Sequence, residues 1–241
     1  MTDPIQLTAT ADTQVIPPMT FVVPQDGFHA LPMDASAEER ATATEEFVRD
    51  LYPGGDGVLW QSTAPFYALV AEAMATAGLA YSAFGIFALD SGGVAHCSFT
   101  VAAYASDHTD PDIAAQGILA ALGSDPLNDA RWLDLPCGPA VASITLRELT
   151  LSPEITASGD QATLMTGQIQ VHVPFPAGQF TAVFTIDTAA MDYWGEFCDM
   201  TTAILQTVSF PDLDPDPGPA EARSDASAGD QLMSFAEPRR S

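Results

Sequence analysis

Residues 162–210 read ATLMTGQIQVHVPFPAGQFTAVFTIDTAAMDYWGEFCDMTTAILQTVSF and contain the clearest local pattern in the chain. Apolar and polar residues alternate between 164 and 173, which is typical of a strand with one buried side. Proline and glycine interrupt the pattern at 174–178, and alternation resumes at 180–187. A β-hairpin is the simplest structure that these two runs can form.

A helix is predicted to follow the hairpin. Asp187 and Thr188 are residue types that cap helix N-termini. The next apolar residues recur at spacings of one and three, which places them in one helical stripe: Trp194, Phe197, Cys198, Thr201, Ile204, Leu205 and Val208. We expect this stripe to pack on the sheet, because two paired strands alone are only marginally stable.

Similar patterns predict the elements upstream. Ser36 and Glu39 form a capping box and begin a helix that reaches about Tyr52. A second helix is expected to begin near Pro65, with Ser62 or Thr63 as its cap. Its inward stripe is predicted to be Phe66, Leu69, Val70, Ala73, Met74 and Ala77. A third helix is predicted over 112–122, and strands over 20–24, 80–89, 94–104, 133–135 and 140–151.

This order of elements lacks the regular β-α-β alternation of parallel sheets. It predicts an α+β fold, in which helices sandwich an antiparallel sheet. We expect a loose lead-in over 1–17, one α+β domain over 18–210 and a disordered acidic tail over 211–241, since the tail is rich in Asp, Pro, Ala and Ser. Near its end lies a candidate partner-docking motif, for which an ordinary frayed terminus is the alternative: Leu232, Met233, Phe235, Arg239 and Arg240.

The charge of the chain restricts its partners. Asp and Glu number 32 against 7 Lys and Arg, which gives a formal net charge of −25. Such a surface repels phosphate backbones and anionic lipids, so we expect neither nucleic-acid nor membrane binding. All the basic residues are arginine, which excludes Schiff-base chemistry on lysine. The charge favours solubility, and a basic protein partner is the alternative reading.

Cysteine usage and the N-terminus bear on the compartment. The three cysteines are an odd number, and Cys97 and Cys198 fall at predicted core positions, which favours reduced thiols. The start of the chain has no basic and apolar signal pattern, and no apolar run is long enough for a membrane span. A cytoplasmic protein is therefore expected.

The candidate chemical groups are scattered. His96 and Cys97 are neighbours in a strand and point to opposite faces, so a thiol–imidazole pair is not expected. Cys137 lies in a predicted turn and is the best candidate thiol. His172 is expected to be solvated on the polar side of its strand. Residues 107–112 (DHTDPD) resemble a cation loop in composition but lack the glycine and glutamate of an EF-hand. No phosphate-binding glycine motif or nucleophile elbow occurs, so we predict no catalytic residue, cofactor or metal.

The end of the domain resembles a known family. The residues that carry the resemblance are 179–188 (QFTAVFTIDT), Tyr193 with Trp194, 204–210 (ILQTVSF) and a strand entered through 135–140 (LPCGPA). Over about 130–210 they look like the PsbP-like α/β/α sandwich family and its bacterial lipoprotein relatives. The resemblance implies a non-enzymatic accessory or binding domain beside a larger bacterial assembly. The signal peptide and lipobox cysteine of the lipoproteins have no counterpart here, which argues against an envelope location.

Three functional hypotheses follow. The first is a non-catalytic cytoplasmic accessory protein that binds a protein partner through a sheet or helix face. The second is a small-molecule binder or hydrolase with a pocket near Cys137, Arg131, Arg147 and His172. The third is an acidic immunity or inhibitor protein directed against a basic toxin.

Overall fold

The computed structural model describes residues 4–211, except 8, 9, 12, 13, 17, 35, 91, 155 and 178. The helices are α1 (Ala37–Leu51), α2 (Gly57–Thr76), α3 (Pro111–Leu122) and α4 (Trp194–Leu205). The strands are β1 (Ile5–Leu7), β2 (Thr10–Ala11), β3 (Gln14–Val15), β4 (Met19–Phe21), β5 (Phe28–Ala30), β6 (Leu79–Ala88), β7 (Val94–Ala105), β8 (Asn128–Leu135), β9 (Gly138–Leu151), β10 (Ala162–Pro174) and β11 (Phe180–Thr188).

The centre of the fold is a seven-stranded sheet in the order β5-β6-β7-β11-β10-β9-β8. All its neighbouring strands are antiparallel. The predicted hairpin is confirmed as β10–β11, with Ile169 opposite Ile186, and β11 also pairs with β7. The predicted α+β class with an antiparallel sheet is therefore confirmed.

One side of the sheet, the core face, carries the row Phe99, Ile186 and Ile169. These side chains are at most 1% exposed. The stripe of α4 packs here, with Phe197 in edge contact with Phe87 of β6 at 6.1 Å between ring centroids. The main hydrophobic core lies between the two, as the sequence pattern predicts.

The opposite side, the outer face, carries the row Ser98, Asp187 and Gln168. Helices α1 and α2 cover its β6 edge, where Phe84 contacts Phe47 and Tyr67. Helix α3 covers β8, β9 and β10. Helices therefore lie on both faces of the sheet, and the middle of the outer face lies between two helical groups.

Helix α2 begins earlier than predicted. Asp56 is its N-cap and accepts a hydrogen bond from the Leu59 amide at 2.9 Å. Pro65 lies inside the helix, so the predicted cap at Ser62 or Thr63 is wrong. The predicted stripe is wrong for its first two members, Phe66 and Leu69, which are exposed, and for Ala73 and Ala77. Instead, the helix faces the protein through Ala64, Tyr67, Val70, Ala71 and Met74. The helix is apolar on every side, so periodicity did not identify its buried face.

Helix α4 begins later than predicted. A short 3-10 turn, Met191–Tyr193, precedes it, and its N-cap Tyr193 makes no side-chain capping bond. Thr188 instead donates to the His96 carbonyl at 2.7 Å, and Asp187 stays in strand β11. The capping role predicted for these two residues is wrong, because strand pairing to β7 extends through both of them.

The two ends of the chain also differ from expectation. Residues 5–7 pair with Met19–Phe21, and Ile16 is 4% exposed, so part of the predicted loose lead-in is structured. Ser209 bridges Thr20, and Phe210 is buried against Phe175. The predicted tail (211–241) lies outside the described residues from 212 onwards, and so does its docking motif: Leu232, Met233, Phe235, Arg239 and Arg240. Within the described ranges, no helix combines the length and apolarity needed to cross a bilayer.

Candidate functional site

A cleft of about 410 Å³ opens on the outer face, between the α1–α2 pair and the middle of the sheet. We call it the central cleft. Its helical wall is Leu51, Tyr52 and Tyr67, and the strands contribute Phe84, Gly85, Ile86, His96, Cys97, Ser98, Thr166, Asp187, Thr188 and Ala189. Its volume lies within the usual range for small-molecule sites.

Strand register aligns polar residues of the outer face in a row that begins in the cleft and continues beside it. Ser98 lies opposite Asp187, Asp187 opposite Gln168, and Gln168 opposite Thr145. Directly opposed residues of antiparallel strands share a face, so the polar sides of four strands align in one row. The sequence shows each polar side separately, but only the pairing shows that they adjoin.

Asp187 is the charged residue that lines the cleft. Its Oδ1 accepts a hydrogen bond from the Gln168 side-chain nitrogen at 2.8 Å. Asp187 is exposed to solvent on the outer face, but desolvation by its surroundings raises its pKa, and the Gln168 hydrogen bond and the charge of Arg147 oppose this effect. Asp187 keeps its second carboxylate oxygen as a further hydrogen-bond acceptor.

A tyrosine pair forms the helical wall. The hydroxyls of Tyr52 and Tyr67 lie 3.1 Å apart and hydrogen-bond to each other. The Tyr67 ring packs edge-on against Phe47 and Phe84, at 5.1 and 5.8 Å between centroids. Burial and the bond to Tyr52 raise the pKa of Tyr67, so its hydroxyl stays protonated. The wall is therefore aromatic, neutral and held in place.

The residues of the pocket predicted near Cys137 are not brought together. Cys137 lies in the β8–β9 turn, and Arg147 is ten residues further along β9, so about 30 Å of extended chain separates them. Arg131 pairs with Ala142 on the core face and contacts Asp129 at 2.8 Å. His172 pairs with Val141, on the outer face. The four residues therefore do not converge.

The prediction that His172 is solvated is wrong. Both ring nitrogens are buried, and neither has a hydrogen-bond partner among the residues that the structure describes. Val141 and Val183 lie beside it on the neighbouring strands. Burial lowers the pKa of His172, so the neutral form is favoured.

The other candidate groups have structural roles. Cys97 and Cys198 are buried, and burial raises the pKa of each thiol to about 12. His108 turns inward, with Nδ1 2.9 Å from the Ser106 hydroxyl and Nε2 3.2 Å from the Phe175 carbonyl. Asp110 caps α3 by accepting from the Asp112 amide. Across 4–211, with the stated gaps, no three His, Cys, Asp or Glu side chains are grouped to hold a metal.

The second candidate site is a surface that the sequence patterns missed. On the side of α2 away from the sheet, four large apolar side chains are exposed: Val58 by 77%, Leu59 by 41%, Phe66 by 61% and Leu69 by 68%. We call this set the α2 surface. A groove of about 360 Å³ between α1 and α2 adjoins it at Leu69, with Glu45 and Glu72 in its lining. The apolar residues on every side of this helix could have indicated the surface, because the protein covers only one side of it.

Comparison with protein-family models, with curated proteins and with solved structures returned no match to this chain.

Proposed function

We propose that this protein is a non-catalytic accessory protein that binds a protein partner through the α2 surface. The observation that carries the proposal is the exposure of Phe66 and Leu69 on a helix whose one charged residue is Glu72. Phe66 and Leu69 lie one turn apart on the helix, and clusters of exposed apolar side chains mark protein interaction sites. A partner would bury these side chains as the core buries those of α4.

The charges around the α2 surface indicate the chemistry of the partner. Asp56 caps the start of α2, while Glu45 and Glu72 line the adjoining groove. Arg40 contacts Glu72 at 3.7 Å and offsets part of this charge. The chain as a whole carries a formal charge of −25. A partner segment with apolar anchors flanked by arginine or lysine fits both features.

The compartment proposed for this interaction is the cytoplasm. Cys97 and Cys198 are buried as thiols in the core. Buried thiols without a disulfide are typical of reducing compartments. We also propose that the partner belongs to a larger bacterial assembly and that the domain is related to the PsbP-like family.

Site-specific photo-crosslinking in cells tests the proposal. A photoreactive residue at Phe66 or Leu69 is expected to give one discrete adduct, and the same residue at Leu127 is the control. Leu127 is 74% exposed and lies in the α3–β8 loop, away from α2. The double variant Phe66→Ser/Leu69→Ser should then lose the partner that wild type captures, whereas Leu127→Ser should keep it.

The outcome also separates the competing ideas. Equal capture by both variants would contradict a role for the α2 surface. An adduct twice the mass of the chain would identify a second copy as the occupant. For an acidic inhibitor of a basic toxin, capture should depend on salt and be unaffected by the change at Phe66 and Leu69, because charge alone would supply the affinity.

A further inference from the structure

We propose that the central cleft binds a small molecule that joins a protonated amine to a flat apolar group, with Asp187 as the residue that recognises the amine. This inference does not depend on the α2 surface. Tyr67 faces the cleft, whereas Phe66 and Leu69 lie on the other side of the same helix. The two proposals can therefore fail separately.

The shape and lining of the cleft define the apolar part of the ligand. Leu51, Tyr67, Phe84 and Ile86 form walls without charge. The rings of Tyr67 and Phe84 are fixed by their mutual contact and by Phe47. Rigid aromatic walls favour a flat ring, because no side-chain ordering is needed when the ring enters.

The charge in the cleft defines the polar part. Asp187 is the acidic residue in the lining, and its carboxylate lies beside Ser98 on the neighbouring strand. Gln168 holds one carboxylate oxygen at 2.8 Å and so fixes the direction of the group. An ammonium is the natural partner for the other oxygen, since a charge-assisted hydrogen bond is about twice as strong as a neutral one.

The surroundings discriminate against anions. The lining offers His96, Ser98, Thr166 and two tyrosine hydroxyls as further polar groups, and no arginine among the residues that the structure describes. A carboxylate or phosphate would meet Asp187 and the field of a strongly acidic chain. Arg147 interacts electrostatically with Asp187 from outside the lining and therefore competes with a bound amine.

Three probes that share a phenethyl group and differ in charge test the proposal on the full-length protein: phenethylamine, phenethyl alcohol and 3-phenylpropanoate. Binding is measured by titration calorimetry, and the site by amide chemical-shift changes at Ser98 and Thr166. We expect phenethylamine to bind about tenfold more tightly than the alcohol, which is the ratio for one added charge-assisted bond. The carboxylate should bind more weakly than either.

Matched variants assign the effect to Asp187. In Asp187→Asn the residue still accepts from Gln168 and keeps its size, so the amine should lose its advantage over the alcohol. Arg147→Gln should strengthen amine binding, and the exposed Asp160→Asn should leave it unchanged. Three results would overturn the proposal: the alcohol binds as tightly as the amine, Asp187→Asn binds the amine as tightly as wild type does, or none of the probes gives a saturable signal. Circular dichroism of each variant verifies that the fold is retained.

Discussion

Gly167 lies on the core face directly beneath the Trp194 ring of α4. A Cβ atom at this position would overlap Cζ3 of that ring, so a side chain fits there only if the ring moves. The glycine thus costs some strand stability in exchange for close packing. Trp194 covers it and is 8% exposed.

Replacing this glycine should be costly. We expect Gly167→Ala to lower the free energy of unfolding by about 1–3 kcal/mol, the usual range for overpacking a filled core. Urea denaturation followed by tryptophan fluorescence measures the change. Gly117→Ala is the matched control, since a Cβ there meets nothing within 4 Å, and alanine favours the α3 helix by about 0.5–1 kcal/mol. If both variants respond alike, Trp194 does not restrict position 167.

His172 predicts a pH dependence of stability. Burial lowers its pKa below the ordinary value of 6.5, so the unfolded chain binds a proton more readily than the folded one. The stabilising effect of the neutral ring is complete above pH 6.5, and it is lost as the pH falls from 6.5 towards the folded pKa. Wild type should therefore lose stability over this interval.

His172→Leu removes the titrating group and its two unpaired nitrogens. We expect the variant to be more stable than wild type by about 1 kcal/mol at neutral pH, because no buried polar atom is left unsatisfied. The difference in unfolding free energy between the variant and wild type should widen as the pH falls below 6.5. His29→Leu, at a partly exposed position, is the control for a general histidine effect. Parallel stability curves for wild type and His172→Leu would contradict the argument.

At the scale of elements, the sequence predicted the features that depend only on residues close together in the chain. The alternation at 164–173 identified β10, because one side of that strand is buried. The more apolar run at 180–187 identified β11, a central strand in which consecutive residues such as Thr181 and Ala182 are buried. The Ser36–Glu39 capping box is formed, with both reciprocal bonds in place. The start and buried face of helix α2 were predicted wrongly, since proline is common in the first turn of a helix and apolar residues lie on every side of this one.

The true start of α2 can be tested by its cap. Asp56→Ala should cost about 1 kcal/mol, because the Leu59 amide loses its acceptor. Ser62→Ala should cost nothing or stabilise by up to about 0.5 kcal/mol, since alanine is the better residue within a helix. Chemical denaturation of both variants decides between the two starts. A larger loss from Ser62→Ala would support the start near Pro65 instead.

At the scale of the whole molecule, the candidate site depends on pairings that a single sequence does not contain. Asp187 looks like a helix cap when it is read with Thr188, yet its neighbours across the sheet are Ser98 and Gln168. These partners are 89 and 19 residues away in the chain. The residues proposed around Cys137 stay apart for the same reason, because His172 pairs with Val141 whereas Arg147 pairs with Thr166, further along β9. Strand register therefore determines which residues meet at the candidate site, and it depends on residues that are far apart in the chain.

The net charge of −25 predicts how the whole molecule responds to salt. Like charges crowd together on folding, so repulsion destabilises the compact state more than the extended chain. Raising sodium chloride from about 0.01 M to about 0.1 M shortens the screening length from about 30 Å to about 10 Å. We expect the melting temperature at pH 7 to rise by about 2–4 °C, which corresponds to about 1 kcal/mol for a domain of this size.

Near pH 4, where carboxylates are about half protonated, the same increase in salt should raise the melting temperature less. A rise of equal size at both pH values would show that salt acts through hydration of apolar surface rather than by screening these charges.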